Sequence, residues 1–207
     1  MTNRTVLELI GITRETLIDK GLEIIDRDGL ARFSVERITV ELNIKPGALY
    51  KFFRTADEVQ NALTAKALAM LVGAHEDVDV DRRGRAALEA HALVERSFGV
   101  AHPAIYAAAL RGPLGLSGEI SAQRQAYLST MMRMLRGYDV APGLAPELAV
   151  CLSAALQGFV SAESAGQGRT GAECDRNYER LLDMMDITAH RARENSIAGS
   201  LARAARA

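Results

Sequence analysis

The chain has 207 residues, a formal net charge of −1 and 25 % charged side chains. These values exclude a disordered chain, and they exclude a protein that binds polyanions over its whole surface, since both need a strong charge excess. Apolar residues make up 48 % of the sequence, which is enough for one or two domains with a hydrophobic core.

Nothing in the sequence indicates export or membrane insertion. The first residues lead into no apolar run of signal-peptide length, and the two cysteines suit a reducing compartment. The most apolar stretch, 140–160, is interrupted by proline, glycine and polar residues, so it lacks the roughly 18 continuous apolar residues of a membrane span. We therefore expect a cytoplasmic protein without a membrane partner.

The first predicted helix follows Thr13, which is a good N-cap. Apolar residues recur at helical spacing at Leu17, Leu22 and Ile25, and Gly29 ends the pattern. This segment is the first helix of a predicted three-helix unit.

A second, short helix is predicted after Ser34. Val35, Ile38 and Leu42 form one narrow apolar stripe, and the hydroxyl of Ser34 is placed to accept a backbone N–H of the first turn. Asn43 follows as a residue that tolerates the left-handed conformation of a helix end. The chain is therefore expected to turn sharply at this point.

A third helix is predicted over 47–53, because Pro46 suits a first helical turn. Leu49 and Phe53 face inward at a spacing of four, which leaves Tyr50 towards solvent. Two short helices joined by a turn of about three or four residues form a helix-turn-helix, whose second helix enters the DNA major groove.

Positive charge is concentrated around this motif. Residues 30–56 carry five basic and two acidic side chains, a local net charge of +3 in a chain of −1. Gly47 and Ala48 let the backbone approach base edges, while the basic side chains and Tyr50 reach phosphates. The predicted DNA-binding residues are Ser34, Arg37, Lys45, Gly47, Ala48, Tyr50, Lys51 and Arg54.

The region from about residue 13 to residue 60 resembles the DNA-binding domain of TetR-type repressors. The resemblance rests on the apolar period of the helices, on Gly29 and on the run Pro46-Gly47-Ala48-Leu49-Tyr50. Lys45, Asn43 and Ala56 depart from the residues common in such proteins, which are Ser, Gly and Lys. Arg54 is expected to supply the phosphate contact that Ala56 lacks.

The rest of the chain predicts helices over about 55–75, 85–101, 104–111, 119–137, 146–165 and 172–190, and no β alternation is visible. Thr55 and Glu58 predict a capping box at the start of the first of these helices. The fold class is therefore all-α. A weaker resemblance to one class of TetR ligand domains rests on Ala101-His102-Pro103-Ala104-Ile105-Tyr106, on Leu156-Gln157-Gly158 where such domains show Trp-His-Gly, and on 178–185.

The resemblance implies a helix-turn-helix DNA-binding domain over 1–54, and a helical effector-binding and dimerisation domain over 55–207. The implied function is that of a homodimeric transcriptional repressor, released from a palindromic double-stranded DNA operator by a small molecule. The effector would select a spacing of the two recognition helices that no longer matches successive major grooves.

An effector cavity is expected among the helices 85–101, 104–111 and 119–137. Its predicted lining is His91, Phe98, Tyr106, Tyr127, Met131 and Cys151. No cluster of Arg or Lys is recognisable on the inward stripes, so the predicted effector is a small, largely apolar molecule. Two alternatives to a lining role stay open. His91 could donate to a neighbouring backbone carbonyl, and Met131 could belong to the hydrophobic core.

Dimerisation is predicted through the helices 146–165 and 172–190, in an isologous four-helix contact. The residues expected at the interface are Leu148, Leu152, Ala155, Phe159, Leu181 and Met185.

No pattern indicates catalysis, a cofactor or a metal ion. Cys151 lies in an apolar helix and predicts an inert buried thiol, and no two histidines have the i, i+4 spacing of a helical metal site. The chain is therefore expected not to be an enzyme. Two function classes remain: a ligand-controlled DNA-binding regulator, and an all-helical dimeric binding module whose N-terminal unit makes protein contacts. Salt-dependent binding to duplex DNA separates them.

Overall fold

The computed structural model describes residues 11–76, 78, 81–115, 117–166 and 171–204, with side chains as far as Arg193. Within these ranges the chain is helical and contains no strand, which confirms the all-α prediction. The helices are α1 (Arg14–Asp28), α2 (Val35–Glu41), α3 (Pro46–Leu49), α4 (Ala56–Ala74), α5 (Gly84–Ala101), α6 (Pro103–Ala109), α7 (Gly118–Leu135), α8 (Ala145–Ser164) and α9 (Gly171–Ala204), with 3₁₀ turns at Leu30–Arg32 and Arg136–Tyr138.

Two helices differ in length from the prediction. α3 ends at Leu49, because the amides of Lys51 and Phe52 donate to carbonyls three residues back, at 3.2 and 3.0 Å, which tightens the turn beyond α geometry. α9 continues past His190 to Ala204, through an Ala- and Arg-rich sequence with high helix propensity.

The contacts divide the chain into two compact units. The first unit contains the chain up to Met70 and His102–Arg124, and the second contains Leu71–Ala101 and the chain from Gln125 onwards. This division differs from the predicted boundary between residues 54 and 55. Val59 and Leu63 of α4 are buried, and α1 packs against α6, so the three-helix unit shares its core with later helices.

The first unit is built on α1. A reciprocal capping box begins the helix, with Thr16 N donating to Thr13 Oγ1 at 3.2 Å and Thr13 N donating to Thr16 Oγ1 at 2.8 Å. Gly21 brings α1 close to α4, since an added Cβ would lie 2.6 Å from Leu63 Cδ2. Gly29 ends the helix with a φ of 85°, as its position in the sequence predicts.

The second unit is centred on the packing of α5, α8 and α9. Tyr178 of α9 is buried and its hydroxyl donates to the Ala92 carbonyl at 2.5 Å. Arg96 binds both oxygens of Glu163 at 2.8 and 2.6 Å, and it also reaches Asp175 at 2.6 Å. These contacts join one buried face of each of the three helices.

α8 is long and apolar enough to cross a membrane by length and composition, with a mean hydropathy of 1.3. Its buried residues Leu148, Leu152, Leu156 and Val160 recur at a spacing of four and face the interior of the second unit. This is the pattern of a core helix, which passes the same test.

The same burial corrects the predicted dimer residues. Leu148, Leu152 and Met185 are already buried within the single chain, so they have no surface left for a partner. Phe159 and Leu181 are half-buried, and Ala155 is exposed. Both helices have apolar residues on two faces, and the predicted stripe is mostly the inner one.

Candidate functional site

The helix-turn-helix has the predicted turn. Asn43 adopts a φ of 50°, and Ile44 N donates to the Thr39 carbonyl at 3.0 Å, which closes the end of α2. Pro46 occupies the first turn of α3. The left-handed residue and the proline therefore act as the sequence predicts.

The faces of α3 are also as predicted. Leu49 and Phe53 are buried, at 1 % and 2 % exposure, and they anchor the helix to the core of the first unit. Tyr50 is 50 % exposed, and Lys51 is exposed beside it. Exposed Lys45 precedes the helix, so aromatic, basic and small residues share its free surface.

Ser34 does not cap α2 with its hydroxyl. It holds the N-cap position by its backbone, but no side-chain cap bond is present. The Glu36 carboxylate instead accepts a hydrogen bond from its own backbone N–H and one from the Ser34 side chain. Both hydrogen bonds lower the pKa of the Glu36 carboxyl. Ser34 remains exposed at the edge of the motif.

Arg37 belongs to an ion-pair network within the protein. Its guanidinium pairs with Asp28 and donates to the Arg32 carbonyl at 3.1 Å. Arg27 pairs with both Asp28 and Glu41. Hydrogen bonds from Arg27 and Arg37 hold the pKa of Asp28 well below its usual range. The prediction of Arg37 as a DNA contact is therefore withdrawn, because its charge is compensated inside the motif.

The junction between α3 and α4 is held by two side chains. Thr55 Oγ1 accepts from Glu58 N at 3.1 Å, and Glu58 Oε2 accepts from Arg54 N at 2.6 Å. The predicted capping box is thus present, except that Glu58 accepts from the backbone N–H of Arg54 and not from that of Thr55. Exposed Arg54 is fixed at its backbone and free at its guanidinium among the described residues.

The second unit contains a cavity of about 290 Å³. Its wall comes from the end of α4, the start of α5 and the end of α7, and the lining residues are His75, Val78, Arg82, Arg83, Ala87, His91, Thr130, Arg133, Met134, Arg136 and Gly137. The volume is at the lower end of the roughly 300–1,000 Å³ typical of ligand sites. The cavity therefore suits a small molecule.

His91 is the one predicted lining residue that borders this cavity. Tyr127 is buried behind it, and Met131 is fully buried while Met134, three residues on, faces the cavity. Cys151 is exposed, so neither its predicted burial nor its predicted lining role is correct. On α7 the residue that lines the cavity is thus Met134, three residues after the predicted Met131.

Two further predicted lining residues lie elsewhere. Tyr106 is buried in the core of the first unit, and Phe98 is half-buried on α5. Neither borders the cavity.

Four buried side chains form a polar cluster at the inner end of the cavity. His75 Nε2 lies 2.9 Å from Glu95 Oε2, and the Tyr127 hydroxyl donates to the same oxygen at 3.1 Å. The His75 ring stacks on His91 with centroids 4.0 Å apart and an interplanar angle of 16°. Because all four residues are at most 4 % exposed, these contacts form in a low-dielectric environment.

Two imidazole nitrogens of this cluster have no hydrogen-bond partner among the residues that the structure describes. They are His75 Nδ1 and His91 Nε2, and both are buried. Burial, with smaller contributions from the charges of His75 and Arg133, lowers the pKa of His91 well below its ordinary value. His91 is therefore neutral at physiological pH, and its ring contributes to the cavity wall while its Nε2 lies buried beneath the surface.

The cluster also brings together one ligand atom each from His75, His91 and Glu95, all within 4.8 Å of one another. This combination of histidine and glutamate differs from the pair of histidines at i, i+4 that a helical metal site shows most simply. His91 and Glu95 do have the i, i+4 spacing on α5, which is the signal that would have found them.

The outer wall of the cavity is cationic. Arg82 and Arg83 contribute from just before α5, and Arg133 and Arg136 from the end of α7, while no acidic side chain occurs among the lining residues that the structure describes. This overturns the expectation that inward-facing basic residues are absent, and with it the argument for a largely apolar effector.

Backbone closes one side of the wall. A Cβ added at Gly137 would lie 2.7 Å from Gly84 N and 2.9 Å from Arg83 Cα. Only glycine therefore fits at residue 137 in this arrangement.

Comparison with known proteins agrees with these observations. The family model described as "Tetracyclin repressor-like, C-terminal domain" matches residues 88–185. The chain is 28 % identical over 131 residues to the protein named "Uncharacterized HTH-type transcriptional regulator YobS" of Bacillus subtilis (strain 168), covering 62 % of this chain and 68 % of that protein.

Solved structures share the fold. A TetR variant from Acinetobacter baumannii AYE in complex with minocycline superposes with a TM-score of 0.65 at 19 % identity, covering 88 % of this chain and 98 % of that one. BioQ with its double-stranded DNA operator gives 0.64 at 17 % identity, covering 85 % and 99 %. Residues 88–185 are thus similar to a tetracyclin repressor-like C-terminal domain, and the chain shares its fold with both solved structures.

Proposed function

We propose that the chain is a cytoplasmic, homodimeric DNA-binding transcriptional regulator that represses from a palindromic operator. The observation that carries the proposal is the free surface of α3, where Gly47 and Ala48 lie beside exposed Lys45, Tyr50 and Lys51. Small residues admit base edges, and the basic and phenolic groups bind phosphates. The operator complex of BioQ, which has the same fold, supports this assignment.

The effector would enter the cavity around His91. The fold neighbour solved with minocycline supports a small-molecule ligand in a regulator of this type. Repression would be relieved when the ligand favours a spacing of the two recognition helices that fits successive major grooves poorly. The ligand has to bind the two spacings with different affinity, since only that difference shifts the equilibrium.

DNA binding is tested by Lys51→Ala and Tyr50→Ala. Both side chains are exposed, so the variants should fold normally and bind DNA more weakly at all sequences to a similar degree. For Lys51→Ala the slope of log K against log salt concentration should fall by about one per protomer, because one phosphate contact is lost. Fluorescence anisotropy over a salt series measures both effects.

Lys66→Ala is the matched control. Lys66 lies in the same unit, on α4, where it is 3.9 Å from Glu15 and 3.8 Å from Asp19. Its loss should leave the salt slope unchanged. If the wild-type protein shows no salt-dependent binding to duplex DNA, the better assignment becomes the all-helical module whose N-terminal unit makes protein contacts.

Dimerisation is proposed through the outer stripe of α8 and α9, which consists of Val150, Cys151, Ala154, Ala155, Met184 and Ile187. Of these, Met184 is 66 % exposed and Val150 and Ile187 are each 51 % exposed. Exposed apolar residues of this kind mark interaction surfaces in soluble proteins. Two-fold symmetry would place the stripe against its own copy.

Ala155→Arg should convert the dimer into a monomer in sedimentation at micromolar concentration, because the symmetry axis brings two unpaired charges into the interface. Leu93→Arg on α5 is the control, since Leu93 is 63 % exposed and lies outside the outer stripe. A wild-type monomer, or equal effects of both variants, would contradict the proposed interface.

A further inference from the structure

We propose that the cavity of the second unit binds a small organic anion, whose carboxylate or phosphate lies between Arg83, Arg133 and Arg136 while a second polar group reaches His91 Nε2. The inference rests on the proposed function, since it names the chemical class of the effector. It is argued from three features of the cavity wall.

The first feature is charge. Among the described residues, four guanidinium groups belong to the lining and no carboxylate does, so this part of the wall is positively charged. Within the part of the chain that the structure describes, no carboxylate pairs with Arg83, Arg133 or Arg136. Guanidinium groups bind carboxylate and phosphate through two parallel hydrogen bonds, which makes an oxyanion the fitting guest.

The second feature is the unpaired nitrogen of His91. His91 is 2 % exposed and lines the cavity, and within the described ranges its Nε2 has no partner. A buried polar atom without a partner is costly, and a ligand that supplies the missing hydrogen bond removes that cost. Because the depressed pKa keeps His91 neutral, the partner on the ligand is a hydroxyl or carbonyl group and not a second anion.

The third feature is size and the apolar part of the wall. Val78, Ala87 and Met134 line the cavity together with the arginines and the histidines. A volume of about 290 Å³ admits a molecule of the size of a substituted aromatic or short aliphatic acid. The ligand is thus an amphipathic acid, with its charged group at the exposed arginines and a polar group towards buried His91.

A metal ion at His75, His91 and Glu95 is the competing occupant of the same region. The positively charged wall repels a cation, and Glu95 Oε2 is already hydrogen-bonded to His75 Nε2 and to the Tyr127 hydroxyl. The two imidazoles are also stacked nearly parallel, at 16°, so their in-plane lone pairs do not converge on one point. These observations favour the anion.

The experiment uses the full-length dimer, without DNA, and a panel of small carboxylic acids and phosphate monoesters, each paired with a neutral analogue. The acids are represented by 4-hydroxybenzoate with 4-hydroxybenzamide, and the phosphates by 4-hydroxyphenyl phosphate with hydroquinone. Thermal shift and calorimetry should detect binding of the charged members and not of their neutral analogues. Comparison of the two arms decides between carboxylate and phosphate.

Arg83→Gln and Arg133→Gln should each weaken the binding of charged members by roughly 10-fold or more, as expected for loss of a charge-assisted hydrogen bond. Both arginines are exposed, so the variants should fold. Arg176→Gln on α9 removes an equally exposed charge outside the cavity and should change nothing. His91→Gln should weaken the hydroxylated acid more than benzoate.

The inference is overturned if no charged member of the panel binds, if neutral analogues bind equally well, or if the Arg variants bind like wild type. It is also overturned if binding requires added Zn²⁺ or Co²⁺ and is lost with EDTA. Operator binding is measured separately by anisotropy in the absence of any panel compound. Failure there would refute the DNA-binding proposal and leave the anion site as a separate result.

Discussion

Glu95→Ala should lower the free energy of unfolding by about 2–6 kcal/mol, because two buried hydrogen-bonding groups lose their partner and each such loss costs about 1–3 kcal/mol. Glu95 is 0 % exposed and accepts hydrogen bonds from His75 and from the Tyr127 hydroxyl. Its removal takes this acceptor away from His75 Nε2 and from the Tyr127 hydroxyl, in a cluster where His75 Nδ1 and His91 Nε2 already lack a partner among the described residues. Urea unfolding followed by circular dichroism, at fixed protein concentration, measures the loss.

Glu89→Ala is the matched control on the same helix. The Glu89 side chain is 52 % exposed and pairs with Arg85 at 2.7 Å, so its removal should cost no more than about 1 kcal/mol. Tyr127→Phe removes one hydroxyl from the cluster and should fall between the two, at roughly 1–2 kcal/mol. Similar losses for Glu95→Ala and Glu89→Ala would mean that the buried cluster does not stabilise the second unit.

Gly47→Leu should abolish specific operator binding while the protein stays folded. A side chain at residue 47 meets no other atom of the chain within 4 Å of its Cβ, so stability should hardly change. On the DNA, the same side chain would occupy the space where α3 approaches base edges. A poor fit costs about 1–3 kcal/mol for each half-site, and a dimer has two, so the expected loss is roughly 30-fold to 10⁴-fold.

Gly143→Leu controls for the general effect of a leucine on an exposed, unobstructed glycine, since its Cβ also meets nothing within 4 Å. Non-specific binding should survive in Gly47→Leu, because the phosphate-binding side chains remain. Competition between operator and random duplex DNA measures the ratio. Equal loss of both would show that residue 47 contributes to general affinity and not to sequence choice.

The helix-turn-helix was predictable because its signals are local. Asn43, Pro46 and the Leu49/Phe53 pair each specify a turn, a helix start or a buried face within a few residues. Arg37 was misassigned because its partner Asp28 lies on the preceding helix, and charge counting along the sequence cannot detect that pairing.

The cavity was less predictable because it depends on how helices are rotated against each other. The apolar stripe of α7 includes both Met131 and Met134, and spacing alone does not say which one faces the space. His75 and Glu95 are twenty residues apart on two helices, so their contact has no local signature. The outer stripe of α8 and α9 was hidden for a related reason, since both faces of these helices are rich in apolar residues.

The backbone contact at Gly137 divides the cavity wall into a part that sequence change can reshape and a part that it cannot. At Gly137 main chain meets the main chain of Arg83 and Gly84, and no larger residue fits at residue 137 without moving a helix. Val78, Ala87 and Met134 contribute side chains that can be shortened or extended one carbon at a time. A biosensor built on this chain would therefore be retuned to larger or smaller guests through those three residues, with the glycine side as the fixed reference.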